Sequence, residues 1–544
     1  MEGRADGLAP NALVSSGRKP AMVHRMRGKG SGTGSRKGLG TRTARSGAVY
    51  VTGQVLGSIA ILALFAVLAR LFSVTNWGLY SIVIAFYTLF GTLGNFTIGT
   101  AMRKKLVELK SATSKRAMLS NAYVATMAIS TVLAIAGVAV SGYVAGTLYH
   151  QPGLAHVFML AAVLVWFWAL FNLTMASLVA LDRAKEGAII DIIYSYVQLA
   201  TAPALVLLGY GIMGAVAGLG IGIVAATATG LLFVARAVGW PGLHFDLKQT
   251  KNILSFATPV YLSNLVAQGV YSFALLFAAG FVTAAVVGNY NIGYEMGGSV
   301  GIILSTTAFV LLPAFSKVAS RGGVGAHIGS SLNKSVYYTL LFLAPIVAYI
   351  VSVSTPLVFI LFSHKYVYAP LYLSLVAVGL AIGVIWNYAS TMLLGMGAVR
   401  KFLRYQLLAA AIELALLFVL TPVFKIIGMI VGVFIIFQAV MDVIYILEFR
   451  RSVSYRPEFG KPARVGAASA ILFALLYAVS SALSFGYIAL LTNVALALLV
   501  YPPLLAVLGG ITTSDIKFLR DAFGAGRLAA PVAAILNYTK GFMR

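Results

Sequence analysis

Two carboxylates interrupt long apolar runs of this chain, Glu295 and Glu413. A carboxylate held at membrane depth is costly and by default marks a site with a partner. Glu295 follows Tyr290, Asn291 and Tyr294 on a polar stretch that would make poor contact with lipid. That face is expected to look into an interior cavity, handling substrate or protons; the other reading of Glu295 is an inter-helix hydrogen bond. Asn264, Gln268 and Tyr271 recur at i, i+4 and i+7, one face of a helix. Gln54 and Ser58 form the corresponding pair near the start of the apolar region. Amides and hydroxyls suit sugar hydroxyl groups, and they also serve as packing bonds between helices. Asn387, Tyr388 and Gln438 are weaker additions to the same set. Asp191 is expected to pair with Lys185, and Asp442 and Glu448 with Arg450 and Arg451.

Cations able to meet an anionic headgroup are Arg70, Lys365 and the cluster Arg103, Lys104, Lys105. Snorkelling is the bland reading of Arg70, and charge anchoring that of the cluster. Catalysis finds no apparatus. Connections on the proposed outer side carry no Asp or Glu for acid–base or metal-assisted work. Gly28-Lys29-Gly30-Ser31-Gly32 lacks the Gly-Lys-Ser/Thr order of a phosphate-cradling loop. The six histidines are scattered without i, i+4 pairs, and the absence of cysteine excludes disulfides, thiolate-bound metal and thiol chemistry. No enzyme activity, metal or cofactor is expected.

The elements that must position these residues are membrane helices. About fourteen apolar stretches of spanning length follow one another between Gly47 and Ile511. Thirty-seven of the forty Lys and Arg residues fall on alternate connections or the two tails; Arg70, Lys365 and Lys425 are the exceptions. Short cationic loops stay cytoplasmic, so both termini are placed inside. The net charge of +26 is spread through these inner loops, which argues against nucleic acid and for the anionic inner leaflet. Asn-x-Ser/Thr at Asn95, Asn172, Asn333 and Asn537 falls within spans or inside, so none is read as glycosylated. The expected organisation is a disordered basic tail over 1–46, too long for a cleavable signal peptide. Six spans follow over 47–237, six over 238–449, and two over 450–510. A cytoplasmic tail occupies 511–544, with an interfacial helix after Phe523.

An internal repeat supports two matched halves. A shift of 210 residues places Trp77-Gly78-Leu79-Tyr80 on Val287-Gly288-Asn289-Tyr290 and Gln54 on Asn264. Two six-helix bundles with a path between them are an established transporter plan. Several segments carry a family resemblance: Ala69-Arg70-Leu71 with Asn76-Trp77-Gly78-Leu79-Tyr80, Leu254-Ser255-Phe256-x-x-Pro259, and Val287-Gly288-x-Tyr290. To these are added Leu312-Pro313-Ala314-Phe315-Ser316-Lys317, Pro356-Leu357 with Leu361-Phe362 and Tyr366, Leu394-Gly395-x-Gly397, and Thr513-x-Asp515. In this order, over about residues 48–522, the chain resembles the polysaccharide or oligosaccharide flippases of the multidrug/oligosaccharidyl-lipid/polysaccharide exporter superfamily. The resemblance implies an all-α, fourteen-helix, two-lobed, V-shaped protein in the cytoplasmic membrane of a prokaryote. It would move a lipid-linked sugar outward by alternating access, with a polyprenyl-phosphate sugar as substrate and glycan-assembly enzymes as partners. The sequence departs from many relatives in lacking a charge on helix seven, between Leu262 and Tyr271, which weakens ion coupling or a cation–pyrophosphate pair there. The alternatives are a proton- or sodium-coupled exporter of drugs or metabolites, working through Glu295 or Glu413, and a non-transporting scaffold of a glycan-assembly complex.

Overall fold

Burial in hydrocarbon demands that backbone groups be satisfied within the segment, and helices do this. The computed structural model describes residues 33–242, 245–320, 326–453, 455–483, 486–523 and 529–543, and among these there is no strand. The helices are α1 (Thr33–Leu71), α2 (Val74–Gly94), α3 (Ile98–Glu108), α4 (Ala112–Tyr143), α5 (Ala155–Ala180), α6 (Ala184–Leu205) and α7 (Gly211–Val238). There follow α8 (Leu247–Asn264), α9 (Val270–Ala279), α10 (Ala284–Ser320), α11 (Ala326–Ser352), α12 (Ser354–Leu361), α13 (Ala369–Ile382) and α14 (Val384–Gly395). The last six are α15 (Val399–Ile430), α16 (Phe437–Val453), α17 (Gly460–Ala482), α18 (Gly486–Val507), α19 (Thr513–Phe523) and α20 (Ala529–Lys540).

Among the described residues nine helices are long and apolar enough to cross a membrane, ten if the pair α13–α14, bent by 48°, is one span. Two of the nine are 55-residue stretches, 184–238 and 399–453. Each doubles back on itself. Gly209 reverses the first at φ 92, a left-handed value suited to glycine. Beyond it Gly218 meets Ala202, Gly222 meets Gln198 and Gly230 meets Ile190, the pairing of an antiparallel hairpin. Lys425, at φ 56, reverses the second, and Gly428 then lies against Leu420. The helix α1 begins at Thr33, so residues 33–46, expected to be part of an unfolded tail, are helical. Extending an existing helix adds a hydrogen bond per residue without a new nucleation cost. Residues 1–32 lie outside the described residues.

The repeat has a direct structural consequence. Gly78 of α2 and Gly288 of α10, matched by the 210-residue shift, face each other. A Cβ on Gly78 would fall 1.7 Å from the Ala284 carbonyl oxygen, and one on Gly288 would fall 2.4 Å from that of Val74. Side chains on both helices are excluded, so the backbones touch where the two halves of the chain meet. Trp77 and Tyr290 pack around the contact, 1% exposed each.

The C-terminal segment is docked by Asp515. Its carboxylate accepts from the Lys461 ammonium (2.8 Å), the Thr512 N–H (2.9 Å), and the Tyr337 and Tyr338 hydroxyls (3.2 and 3.1 Å). Accepting from Thr512 makes Asp515 half of a capping box at the start of α19. The expected interfacial helix is α20. It packs Leu536 against Leu505, Ile511 and Leu519, and Tyr538 donates to the Leu499 carbonyl of α18 (3.2 Å).

Two outcomes test these contacts. Gly78→Ala or Gly288→Ala should lower the thermal unfolding midpoint of the purified protein, at the ~1–3 kcal/mol typical of overpacking; an unchanged midpoint would refute the close approach. Burial alone would raise the Asp515 carboxyl, but the bonds from Lys461 and Thr512 hold it below its usual value. Its contribution is therefore fully present above the unfolded pKa of about 3.9 and lost as pH falls through the lowered folded value. Asp515→Asn should release α19 and α20 to protease at neutral pH, whereas the native chain should resist until strongly acidic conditions.

Candidate functional site

Helix seven of the expected topology is built as α8, a π-helical turn at Leu265–Gly269, and α9. The first segment, α8, leans on the first half of the chain. Asp246 caps it, accepting from the N–H groups of Lys248 (2.9 Å) and Gln249 (3.1 Å). Asn121 of α4 accepts from the Asp246 N–H (2.9 Å), and Tyr261 donates to the Leu93 carbonyl (3.0 Å) while stacking on Phe96 at 4.1 Å. Beyond the turn, α9 packs against α15, through Phe273 and Phe277 on Phe418.

The wide turn changes which residues share a face. Gln268 and Tyr271 line one cavity, together with Tyr294, Trp386, Gln406, Glu413 and Gln438. Asn264 instead borders a different pocket, with Asn95, Thr126, Asn172 and Arg103. The expected i, i+4, i+7 face is thus broken between Asn264 and Gln268, because a π turn advances the ladder by an extra residue.

The first cavity, of about 240 Å³, lies in the second half of the chain. Tyr271 and Tyr294 stack at 4.3 Å, and Tyr294 continues to Phe434 at 5.8 Å and Tyr290 at 6.0 Å. Amide groups of Gln268, Gln406 and Gln438, the Glu413 carboxylate and the Trp386 indole complete the wall. Gln406 was missed in the sequence, although it lies on the Glu413 side of its helix, seven residues earlier. Its Oε1 is buried without a partner in the protein. Glu295 does not line this cavity. It lies within electrostatic range of Tyr80, Tyr271, Tyr290 and Tyr294, including both tyrosines of the repeat. Tyr290 is buried in packing against Tyr372 and Tyr294. Gln54 stands exposed on α1, with Ser58 donating to its carbonyl (2.9 Å), and borders neither pocket.

Asp442 and Glu448 have structural partners. Asp442 accepts from the Trp386 N–H at 2.7 Å. That N–H is freed where α13 gives way to α14 at Gly383, so α16 caps a helix broken inside the bundle. Glu448 accepts from Lys401 (2.9 Å) and Tyr405 (2.7 Å), in place of the expected Arg450 and Arg451. Asp191 lies against Gly57 of α1 and makes no ion pair with Lys185. These partners come from helices remote in sequence.

Arg70 and Lys365 form a reciprocal clasp at the cation-poor end. Arg70, at the end of α1, donates to the Ile360 and Leu361 carbonyls that end α12 (3.2 Å to Leu361). Lys365 donates back to the Arg70 (3.0 Å) and Phe72 carbonyls, and Tyr366 to that of Ala69 (2.8 Å). Each cation thus caps the other's helix C-terminus, where the last carbonyls lack partners and the dipole is negative. Burial pushes the Lys365 ammonium below its usual value. Arg70 also borders a cavity of about 650 Å³ against α17 and α18, with His364, Ser481 and Tyr487. Among the described residues no group of three His, Asp or Glu is placed to hold a metal ion.

Comparison with known proteins gives the fold a lineage. The family described as polysaccharide biosynthesis protein matches residues 67–370. The structure of the lipid II flippase MurJ in an inward closed conformation aligns with a TM-score of 0.68 and 16% identity, over 87% of this chain and 99% of that one. An inward-facing multidrug resistance MATE transporter of the MOP superfamily aligns with a TM-score of 0.59 and 16% identity, over 75% of this chain and 98% of that one. No curated protein matches the sequence.

The clasp predicts a coupled loss. The chain has no cysteine, so Ser73→Cys, beside the clasp, gives one maleimide target. Arg70→Ala and Lys365→Ala should each raise its labelling rate several-fold, and the double variant should add little to either. Independent, additive effects would show that the two caps are not one clasp.

Proposed function

Because the chain belongs to the polysaccharide biosynthesis protein family and has the fold of the MOP superfamily, we propose that it is a flippase. Its cargo is a lipid-linked oligosaccharide or polysaccharide precursor, moved from the cytoplasmic to the external leaflet by alternating access. The single observation that carries the reading is the cavity at Gln268, Tyr271, Tyr294, Gln406, Glu413 and Gln438. It sets stacked aromatic rings beside amides and a carboxylate within an apolar bundle. Sugar rings present apolar C–H faces and ring hydroxyls together, and aromatic faces with amides answer both. Maintaining such groups in a membrane is costly unless a polar cargo uses them.

The bundle offers the lipid portion its own surface. An apolar groove of about 350 Å³ between α11 and α18 is lined by Phe342, Ile346, Leu498 and Leu505 among others. The cargo's chain can stay in hydrocarbon there while the glycan crosses through the interior. Rocking of residues 47–237 against 238–449 supplies the alternation, with the Arg70–Lys365 clasp closing one end. The cation distribution orients the protein in the cytoplasmic membrane of a prokaryote, with both termini inside. Enzymes that assemble the glycan are its expected partners. Glu413 in the cavity wall also favours a second reading, proton-coupled export of a small molecule.

The test is transbilayer movement in proteoliposomes carrying a labelled polyprenyl-linked oligosaccharide. External exposure should depend on the protein, and Tyr271→Ala and Gln268→Ala should slow it roughly tenfold or more, since each removes a contact of about 1.4 kcal/mol. Absence of exposure with several sugar lipids, together with uptake of small cations that Glu413→Gln abolishes, would establish the exporter instead.

A further inference from the structure

The apolar groove between α11 and α18 is closed at one end by the C-terminal segment. Phe342 and Ile346 of α11 and Leu498 of α18 form its walls, and Ile535, Leu536 and Thr539 of α20 complete it. Leu536 packs there on Leu505, Ile511 and Leu519 and is 6% exposed, Thr539 3%. The Thr539 hydroxyl donates to the Ile535 carbonyl (2.7 Å), so α20 turns no free hydroxyl into the groove. The outward side of α20 is apolar too, with Tyr538 and Phe542 exposed and in ring contact at 5.2 Å. Such a helix lies at the boundary between headgroups and acyl chains. By the cation distribution Val507 ends α18 on the cytoplasmic side, so the closed end of the groove meets the inner leaflet.

What holds α20 in place is polar and lies outside the groove. The Asp515 carboxylate of α19 accepts from Lys461, Thr512, Tyr337 and Tyr338. Tyr338 stacks on Phe518 at 4.6 Å, and the Lys461 ammonium sits over the Tyr337 ring at 5.0 Å. From α19 the hold passes to α20 through Arg520, which donates to the Asn537 side chain (2.6 Å), and through Leu519 on Leu536. This latch borders a polar cavity of about 360 Å³ lined also by Lys334, Glu458 and Ser514, all three exposed. Water reaches the latch through that cavity, and each latch bond can be exchanged for one to water. The groove permits no such exchange, so its contacts are replaced only by another apolar chain. Pro345 and Pro502, which line it from either side, each lack the N–H that would stiffen the wall helix there.

We propose that α20 is a lid over the cytoplasmic end of this groove, latched through α19 by Asp515, and that it swings outward to admit the cargo's lipid chain from the inner leaflet. The assignment rests on the flippase reading and adds the route by which the lipid portion enters. On opening, the Leu536 side of α20 passes from the groove to acyl chains, and the incoming chain fills the space it leaves. Neither state turns that apolar surface to water. The released Asp515 and Lys461 face the polar cavity, so breaking the latch strands no charge in hydrocarbon. Release is thus a polar event on the cytoplasmic side, and loading an apolar one within the bilayer.

The experiment reads access to the groove in the purified full chain in nanodiscs, without cargo. The chain has no cysteine, so Ala497→Cys places a single thiol in the groove wall. The probe is pyrene maleimide dissolved in the bilayer. Its reaction should be slow in the otherwise native chain and several-fold faster with Asp515→Asn. Leu536→Ala, which loosens α20 without touching the latch, should also speed it, and thermal unfolding confirms that each variant is folded. In a separate chain Leu499→Cys and Tyr538→Cys, neighbours across the lid, are joined by a short bis-maleimide. Transbilayer movement of the labelled sugar lipid should fall several-fold on joining, while each single variant treated alike retains it. Equal labelling of native and Asp515→Asn chains would overturn the lid, and protease resistance of α20 in Asp515→Asn would overturn the latch. Undiminished movement in the joined protein would overturn its part in loading. Movement absent from every sample, with labelling still set by Asp515, would count against the flippase reading and leave the lid standing.

Discussion

An unpaired backbone N–H or C=O inside hydrocarbon costs several kcal/mol, and every helix end or break in this bundle must answer that cost. The answers organise the molecule. Lys365 and Tyr366 satisfy the last carbonyls of α1, and Arg70 those of α12, so closing one end of the bundle and completing two helices are one event. Asp442 satisfies the N–H freed where α14 begins. Asp246 and Asp515 do the same for α8 and α19. These side chains are charged because a charged partner gives the stronger bond to an orphaned backbone group. Asp442 and Arg70, charged residues within the helices, are thereby explained without reference to cargo.

What is left after that accounting is small and informative. Glu413 and the amides around it have no such backbone duty and converge on one cavity. The start of α3 has no side-chain cap and opens on a polar pocket instead. Both lie against the segment α8–α9, which is tied to α4 and α2 at its beginning and to α15 beyond its π turn. Glycine contact between α2 and α10 brings the halves close enough for one segment to bridge them. A side chain at either Gly78 or Gly288 would separate them.

Helix class, the reversals near residues 209–211 and 422–425, and the repeat at Gly78 and Gly288 were legible because each depends on local pattern or on glycine's lack of a side chain. The cavity was partly legible: Gln268, Tyr271, Tyr294 and Glu413 are polar residues in apolar helices, and they do converge. Asn264 was misplaced because a π turn has no reliable residue pattern and moves every later residue by one position on the face. The caps by Arg70, Lys365 and Asp442 were hidden for another reason. Their acceptors and donors are backbone groups 290, 293 or 56 residues away, and a backbone group carries no residue identity to recognise. Residues 33–46 read as tail because their composition is polar, yet a helix entering from α1 needs only propagation.

The same economy bears on how the bundle could change state. A clasp made from helix-end carbonyls cannot open part way at low cost, since releasing Arg70 orphans the end of α12 and releasing Lys365 orphans the end of α1. Each cap therefore stabilises this closed end of the bundle. The segment α8–α9 meets the opposite demand. Its π turn is one residue wider than an α turn, and tightening it to an α turn would rotate Asn264 relative to Gln268. Asn264 and Gln268, on either side of this turn, border different pockets, so a change in the turn would shift the wall of one against the other. A single rigid helix at this place would hold both groups of residues but could not move one against the other.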